Sequence, residues 1–187
     1  MKYHDTKQHI IETASTLFYK NGYNLTGINQ IIAEAGIAKA TLYAHFKSKE
    51  EICLAYLNYK NSTFLNDIEN YCQTKPFGAK RAVAIFDFLQ EFFEDRDFNG
   101  CWCIKTAAEV PKEKKKIKSA IQNHKQKFIE FIFRMLDENV ETESEEELDM
   151  LVKQAYLLYE GAVAESHLHQ EDWPIRTAKQ LFEKILY

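Results

Sequence analysis

Apolar residues recur at the spacing of an α-helix along almost the whole chain, and this periodicity constrains the fold more than any other feature. Two such series near the N-terminus are Ile10, Ile11, Ala14, Leu17 and Phe18, then Ile28, Ile31, Ile32 and Ala35. No segment shows the sustained alternation of apolar and polar residues that a half-buried strand requires. With only six glycines and three prolines in 187 residues, the sequence predicts an all-α fold of long helices.

Residues that break helices divide this pattern into about nine segments. We expect helices at residues 5–20, 27–34, 38–45, 48–73, 77–95, 102–109, 112–138, 144–169 and 174–187. Pro111 and Pro174 are expected in the first turn of a helix, where the missing N–H breaks no bond, and Pro76 is expected to open the fifth helix. The acidic stretch at 141–149 should place carboxylates at the N-terminus of the helix near Ser144, where they interact favourably with its dipole.

Composition excludes several classes of protein. Hydrophobic residues make up 45% of the chain and charged residues 28%, as in soluble globular proteins. No apolar run approaches the length of about 20 residues that a membrane-spanning helix needs. The N-terminus lacks the apolar block and cleavage site of a secretory signal. We therefore expect a cytoplasmic protein whose four cysteines, at 53, 72, 101 and 103, are reduced.

The net charge of −4 is unevenly distributed. Residues 1–60 contain seven lysines and five acidic residues, which gives +2 there and −6 in the remainder. A basic N-terminal part favours a DNA contact made by one end of the chain. A second basic cluster lies at the start of a predicted helix, either as a solvated face or as an additional phosphate contact; its members are Lys112, Lys114, Lys115, Lys116 and Lys118.

Residues 25–46 predict two short helices joined at Gly36, which is expected to adopt the left-handed conformation that ends the first helix. The second helix should leave one face in solvent, and this face is small near its start, through Ala38, Lys39, Ala40 and Thr41. Such a face can enter a major groove about 12 Å wide. Thr26 can cap the preceding helix and point its hydroxyl at a phosphate. Other groups able to bind DNA are Thr41, Tyr43, His45, Lys47 and Lys49.

Between Ile11 and Ile52 the sequence carries the pattern Ala14…Leu17-Phe18…Asn21-Gly22-Tyr23…Thr26…Ile31…Ala35-Gly36…Lys39…Thr41-Leu42-Tyr43…His45-Phe46…Lys49. This pattern resembles the DNA-binding domain of the TetR/AcrR family of transcriptional regulators. The resemblance implies a three-helix head, a long fourth helix that leads to a C-terminal domain, and a homodimer on double-stranded DNA with a near-palindromic operator.

The resemblance also assigns roles to single residues. The base-reading helix falls on residues 39–45, with Lys39 and Ala40 as candidates for base-edge contacts. Contacts with the DNA backbone fall on Thr26, Thr41, Tyr43, His45 and Lys49. Gly27 departs from the family, which often has a larger residue there, and should loosen its helix by about 1 kcal/mol relative to Ala. The alternatives are a helical hairpin without a DNA role, a packing role for Tyr43, and an exposed helix end at His45.

We expect residues 1–48 to form the DNA-binding domain and residues 49–187 to form a domain for ligand binding and dimerisation. The second domain resembles the family's regulatory domain in helix count and size. Its aromatic side chains would suit a small hydrophobic or aromatic effector, although ordinary core packing is an alternative for each of them. The predicted lining residues are Phe64, Phe86, Phe93, Trp102 and Phe128.

The last two predicted helices fit the four-helix dimer interface that the resemblance implies. Gly161 in mid-helix lowers helix stability unless a partner helix comes close, and its small neighbours would permit that approach. The predicted interface residues are Leu151, Ala155, Leu158, Gly161, Ala162, Ala178, Leu181 and Phe182.

The sequence contains no phosphate-binding glycine loop, HExxH helix or nucleophile elbow. We expect no catalytic residue, no metal site and no cofactor, and His167 and His169 lie on different sides of a helix. The function that we predict is a ligand-released repressor. The alternatives are an activator, or a regulator whose signal is a protein partner or oxidation of Cys101 and Cys103, which otherwise serve as small buried hydrophobic residues.

Overall fold

The computed structural model describes residues 3–95 and 98–186, and within these ranges it contains helices and no strand. The predicted all-α fold is therefore confirmed. The nine helices of the described residues are α1 (Tyr3–Asn21), α2 (Ile28–Glu34), α3 (Lys39–His45), α4 (Lys49–Gln73), α5 (Ala79–Glu94), α6 (Trp102–Glu109), α7 (Lys115–Asn139), α8 (Glu145–His169) and α9 (Trp173–Leu186).

Two helices begin two or more residues later than predicted. Helix α5 begins at Ala79 because Gly78 has φ 100°, so Pro76 precedes the helix and does not open it. Helix α7 begins at Lys115 because the Lys114 N–H donates to Pro111 O at 3.1 Å in a preceding turn. The predicted first-turn position of Pro111 is thus wrong, whereas Pro174, the second residue of α9, lies in a first turn as predicted. The predicted helix end at residue 187 lies outside the described ranges.

The caps of two helices explain where those helices start. Ser144 Oγ accepts a hydrogen bond from Glu147 N at 3.2 Å, while Glu147 Oε2 accepts one from Glu143 N at 2.6 Å. Glu145, Glu146 and Glu147 occupy the first turn of α8, which confirms the capping role predicted for the acidic stretch. Ser48 accepts from Glu51 N at 3.2 Å at the start of α4.

The chain forms two compact units. Unit 1 consists of Met1–Thr63 with Trp102–His124, and unit 2 consists of Phe64–Cys101 with Lys125–Tyr187. Helices α4 and α7 therefore contribute residues to both units. This division differs from the boundary predicted after residue 48, because α6 and the first part of α7 pack with the N-terminal helices. The division after residue 48 into a DNA-binding domain and a domain for ligand binding and dimerisation stays a prediction.

The core of unit 1 holds the three N-terminal helices together. Ile10 on α1, Ile31 on α2 and Leu42 on α3 are each completely buried. Gly36 has φ 62°, which confirms the predicted left-handed residue between α2 and α3. His9 Nε2 lies 3.1 Å from Ala35 O and adds a polar link between α1 and the end of α2.

The core of unit 2 is rich in aromatic rings. Helix α9 packs against α5 and α8. Phe86 on α5 and Phe182 on α9 are completely buried, with ring centroids 5.5 Å apart. Among the helices of the described residues, none has the length and hydrophobicity required to cross a membrane.

Candidate nucleic-acid interface

Helix α3 presents one face to solvent and buries the other. Leu42 is completely buried, and Phe46, which follows the helix, is 4% exposed. Lys39, Ala40 and Tyr43 are exposed. The two buried side chains therefore fix α3 in unit 1, while the residues predicted to meet DNA remain open.

The remaining predicted contacts on this helix are less accessible. Thr41 and His45 are each half-buried, whereas Ala44 is exposed beside Tyr43. Sequence reasoning did not single out Ala44, although its spacing from Ala40 places both on one helical face. Small side chains at both positions keep that face close to the helix backbone.

The side chain of Thr26 points into the protein. It is completely buried, and its hydroxyl lies 2.8 Å from Gly22 O and 3.2 Å from Leu17 O, where it donates to carbonyl groups at the end of α1. The predicted capping of the preceding helix is present, but the predicted contact of this hydroxyl with a phosphate is wrong. A buried hydroxyl must satisfy its hydrogen bond internally, and these carbonyls do so.

Gly27 is the N-cap of α2 and not its first helical residue. Its φ is −87° and its ψ is 152°, and a Cβ added there would meet no atom within 4 Å. Glycine is acceptable at an N-cap. The loosening that we predicted for a glycine inside the helix therefore does not apply.

Two lysines lie near the start of α4, in different surroundings. The Lys47 side chain is exposed. The Lys49 ammonium lies 4.5 Å from the centroid of the Tyr23 ring and 3.5 Å from Asn24 O, and burial lowers its pKa. Lys47 is thus available to a phosphate, whereas Lys49 already has partners within unit 1.

The end of α6 is tied to the turn between α1 and α2. Glu109 Oε2 accepts from Asn24 N at 2.7 Å, and Glu109 O accepts from Asn24 Nδ2 at 3.0 Å. Gly22 has φ 86°, and a Cβ there would lie 2.2 Å from Glu109 Oε1. The left-handed backbone favours glycine at this position, and a Cβ there would also displace the Glu109 carboxylate. No pattern near either residue indicates this contact, which joins positions 85 residues apart.

Comparisons with known proteins agree with this geometry. Residues 10–56 match the family model for bacterial regulatory proteins of the tetR family. The matched region contains α2, α3 and every residue that we predicted to contact DNA. Residues 10–56 therefore form an N-terminal domain of the TetR family.

Two relatives show how far the similarity extends. The Bacillus subtilis HTH-type transcriptional regulator YerO is 39% identical over 66 residues, which cover 35% of this chain and 23% of that protein. The Escherichia coli K12 HTH-type transcriptional repressor NemR is 22% identical over 188 residues, which cover 98% of this chain and 94% of that protein. Identity is therefore higher over a short segment than over the whole chain.

The fold similarity covers both units. The crystal structure of a TetR-family transcriptional regulator from Streptomyces coelicolor superposes with a TM-score of 0.86 at 24% identity, over 97% of this chain and 88% of that one. This similarity shows the fold. The match of residues 10–56 makes the protein a DNA-binding transcriptional regulator, in which α2 and α3 form the helix-turn-helix.

In unit 2, three of the residues predicted to line an effector site surround Tyr159. The ring of Tyr159 lies 4.9 Å from that of Phe128, 6.1 Å from that of Phe86 and 6.4 Å from that of Phe64, measured between centroids. The structure thus brings these three phenylalanines together in unit 2. Sequence reasoning missed Tyr159 because its helical spacing indicated only that it faces inwards.

The other two predicted residues have different surroundings. Phe93 packs against Phe98 at 5.2 Å, and ring contacts through Phe92 and Phe88 connect this pair to Phe64. Trp102 belongs to unit 1, where the Lys60 ammonium lies 5.3 Å from its ring centroid.

Five of the eight predicted dimer residues lie in the core of unit 2, where residues of their own chain cover them. These are Leu151, Ala155, Ala162, Ala178 and Phe182. Leu158 is half-buried, and Gly161 and Leu181 are exposed. Exposed neighbours that sequence reasoning did not select are Leu157 at 68% and Leu168 at 71% on α8, and Ile185 at 40% on α9.

Proposed function

We propose that this regulator is a repressor that binds a near-palindromic operator as a homodimer and releases it when a small hydrophobic or aromatic effector binds unit 2. The exposed face of α3 carries this proposal, because it offers Lys39, Ala40 and Tyr43 to solvent on a helix anchored by Leu42. A basic face with small side chains fits the major groove. We place the protein in the cytoplasm, together with the DNA that it regulates.

Within this face we assign two kinds of contact. Lys39 and Ala40, at the start of α3, would meet base edges, since the N-terminal residues of a recognition helix lie deepest in the groove. Tyr43 and Lys47 would bind phosphates, which fixes the position of the head without reading sequence. Thr41 and His45 stay predicted backbone contacts with smaller accessible surfaces.

Selection of fragmented bacterial DNA on the purified protein, at a stated moderate salt concentration, tests the DNA part of this proposal. Sequencing of the retained fragments should return one near-palindromic site. Retention of fragments without a shared sequence would contradict a sequence-specific repressor. The salt concentration must be fixed because the affinity of proteins for DNA falls steeply with it.

We propose that the dimer forms through exposed apolar residues of α8 and α9. Leu157, Gly161, Ala164 and Leu168 follow one another at spacings of four, three and four residues, and all four are exposed. A Cβ added at Gly161 would meet no atom within 4 Å. The space beside this glycine is therefore open in a single chain, as close packing of a partner helix would require.

The variant Leu168→Glu tests this interface. A carboxylate buried in an apolar contact loses hydration without gaining a partner, so the dimer should dissociate in sedimentation experiments and operator affinity should fall. Phe133→Glu is the matched control, because Phe133 is 43% exposed on α7 and should leave the mass unchanged. A dimeric Leu168→Glu variant would contradict the proposed interface.

For the effector we propose a site beside Tyr159. Its hydroxyl is buried and has no hydrogen-bond partner among the described residues. Burial raises the pKa of this hydroxyl well above 10.0, so the group remains a neutral donor. An unpaired buried donor destabilises a fold by about 1–3 kcal/mol. An aromatic ligand with an acceptor oxygen would satisfy this donor among Phe64, Phe86 and Phe128.

Acetophenone and ethylbenzene are suitable probes because they have similar shapes and differ in one carbonyl oxygen. The wild-type protein should bind acetophenone more tightly, and Tyr159→Phe should remove this preference while increasing thermal stability. An equal preference for acetophenone in the wild type and in Tyr159→Phe would contradict a role for the Tyr159 hydroxyl. Tyr156→Phe, with a half-buried ring near Phe128, is the control.

Release would follow from a change in the dimer. We propose that effector binding favours a conformation in which the spacing of the two heads no longer matches the half-sites, and that α4, which contributes to both units, tilts and transmits the change. To shift the ratio of the non-binding to the DNA-binding conformation from 1:99 to 99:1, the effector must bind the non-binding conformation more favourably by about 5.5 kcal/mol. Operator affinity that is independent of every bound compound would contradict this step.

Cys101 supports thiol oxidation as a second candidate signal. Lys125 Nζ lies 3.1 Å from Cys101 Sγ and also donates to Glu160 Oε1 at 2.6 Å. A neighbouring ammonium favours a thiolate, which peroxide oxidises to a sulfenic acid with release of hydroxide. By contrast, burial raises the pKa of the Cys53 and Cys72 thiols to about 12.

Hydrogen peroxide distinguishes the two signals. If oxidation is the signal, peroxide should lower the operator affinity of the wild type and of Cys103→Ser, whereas Cys101→Ser should not respond. An unchanged affinity of the wild type after complete oxidation of Cys101 would exclude this route. The effector proposal would not be affected by that result.

A further inference from the structure

Four lysines at and just before the start of α7 form an unbalanced positive surface on unit 1, which we name the α7 lysine patch: Lys112, Lys115, Lys116 and Lys118. The first three are exposed and Lys118 is half-buried. No ion pair of the described residues involves these four, whereas Lys114 between them pairs with Glu50 at 2.7 Å. Glu113 is the one acidic residue between 112 and 118.

Two polar contacts within unit 1, one at each end, hold the connection between α6 and α7 on which the patch begins. Glu109 binds Asn24, and Lys114 binds Glu50. Lys112 lies three residues after the first anchor and two before the second. A chain extends by at most about 3.6 Å per residue, so the Cα atom of Lys112 lies within about 11 Å of that of Glu109.

The groups that these anchors contact flank the DNA-binding helices. Asn24 comes three residues before Gly27, the N-cap of α2, and Glu50 lies in the first turn of α4, shortly after Lys47. The first helix of a helix-turn-helix crosses the sugar–phosphate backbone, and phosphates also bind at helix N-termini. The patch therefore continues the surface on which the DNA backbone is expected.

The charge of the patch is unfavourable in the free protein. Lysines at the N-terminus of a helix face the positive end of its dipole, and they also repel one another. An anionic partner removes this repulsion. Double-stranded DNA supplies one negative charge per about 1.7 Å of its axis, which is the density that a run of lysines can neutralise.

We propose that the α7 lysine patch is a second DNA-binding surface, which contacts backbone phosphates of the operator beside the base pairs that α3 reads. This inference rests on the proposed DNA-binding function and adds a contact outside the helix-turn-helix. Lysine is a flexible point charge, so the patch contributes affinity and salt dependence and leaves sequence discrimination to α3.

The test compares two triple variants of the full-length protein. The patch variant is Lys112→Gln, Lys115→Gln and Lys116→Gln. The control is Lys80→Gln, Lys127→Gln and Lys184→Gln, which removes the same charge from exposed lysines of unit 2 that have no ion pair with described residues. Affinity for the selected operator, and for an operator with substituted central bases, is measured at several salt concentrations.

Each phosphate contact contributes about −0.9 to the slope of log affinity against log salt. The patch variant should therefore show a slope less negative by up to about 2.7 per subunit and a loss of at least about tenfold in affinity at low salt. The ratio of affinities for the two operators should not change. The control should retain most of the wild-type slope.

A patch variant with the wild-type slope, or one that loses slope no more than the control, overturns the proposal and leaves the regulator function intact. Failure of the wild type to select any operator would instead contradict the proposed repressor. In that case the same slopes, measured on a random duplex, still decide whether the patch binds phosphate. Circular dichroism of both variants establishes that α7 remains folded.

Discussion

The two compact units carry opposite charge. Unit 1 contains thirteen lysines and seven acidic residues, a net charge of +6, whereas unit 2 contains eleven basic and twenty-one acidic residues, a net charge of −10. Division of the chain at residue 60 gives only +2 and −6. The difference arises because Trp102–His124 packs with the N-terminal helices and brings six lysines to unit 1. Charge in this protein is thus separated by packing and not by chain order.

The units also differ in what connects their parts. In unit 1, distant segments are joined by polar contacts such as those of Glu109 with Asn24 and of Lys114 with Glu50. In unit 2, buried aromatic rings such as Phe86 and Phe182 join α5 to α9. We therefore expect substitutions in the aromatic core of unit 2 to act mainly on stability and substitutions on the exposed face of α3 mainly on DNA binding.

The largest effect is expected from Phe182→Ala. Because Phe182 is completely buried against Phe86, its removal should lower the free energy of unfolding by about 3–5 kcal/mol. Urea denaturation measures this change. Leu168→Ala, at a side chain that is 71% exposed, should change the stability of the isolated chain far less. Equal losses would contradict the position of the core.

Lys39→Ala should act on DNA and not on folding. Loss of one specific side-chain contact with a base costs about 1–3 kcal/mol, so operator affinity should fall roughly 5- to 150-fold. The urea midpoint should stay at the wild-type value because Lys39 is exposed. Fluorescence anisotropy with the selected operator and with a substituted one measures affinity and specificity. An unchanged specificity would reassign Lys39 to phosphate binding.

Gly22→Ala tests whether α6 is closely packed against the turn after α1. A non-glycine residue in the left-handed region costs about 1–2 kcal/mol, and the new Cβ would also displace the Glu109 carboxylate. Combining Gly22→Ala with Glu109→Ala should remove the part of the stability loss that comes from the steric clash and leave the part that comes from the left-handed backbone. Gly27→Ser is the control, with little change or a slight gain expected at an N-cap. Strictly additive losses in the double variant would rule out direct contact.

The smallest effects are expected from matched caps, one in each unit. Ser48 and Ser144 each accept a hydrogen bond of 3.2 Å from the backbone N–H three residues later. Replacement of either by Ala should cost about 1 kcal/mol. Similar losses in thermal unfolding would show that the two units unfold together. A loss confined to one of two transitions would show that they unfold separately.

Helical periodicity and breakers were sufficient to predict the fold. They located all nine helices of the described residues, and Gly36 and the acidic cap of α8 had the predicted roles. The exposed face of α3 could also be predicted, since residues between buried Leu42 and Phe46 must point outwards. These features depend on neighbours within about four residues, which a sequence displays directly.

The features that could not be predicted depend on contacts between distant segments. Periodicity showed that Ala155 and Phe182 face an apolar partner but not whether that partner is a second subunit or their own chain. It likewise could not place Trp102 in unit 1 or turn the Thr26 hydroxyl inwards. The contact of Glu109 with Asn24 joins residues separated by 85 positions, and nothing local to either residue marks it.

The separation of charge also has a kinetic consequence. A nucleic acid of any sequence attracts unit 1 and repels unit 2. Electrostatic attraction therefore favours encounters in which unit 1, which carries α3, meets the DNA before any base is recognised. Productive encounters then form a larger share of all collisions, and the association rate falls as added salt shortens the range of this field. The acidic residues of unit 2 thus disfavour encounters in which unit 2 meets the DNA first.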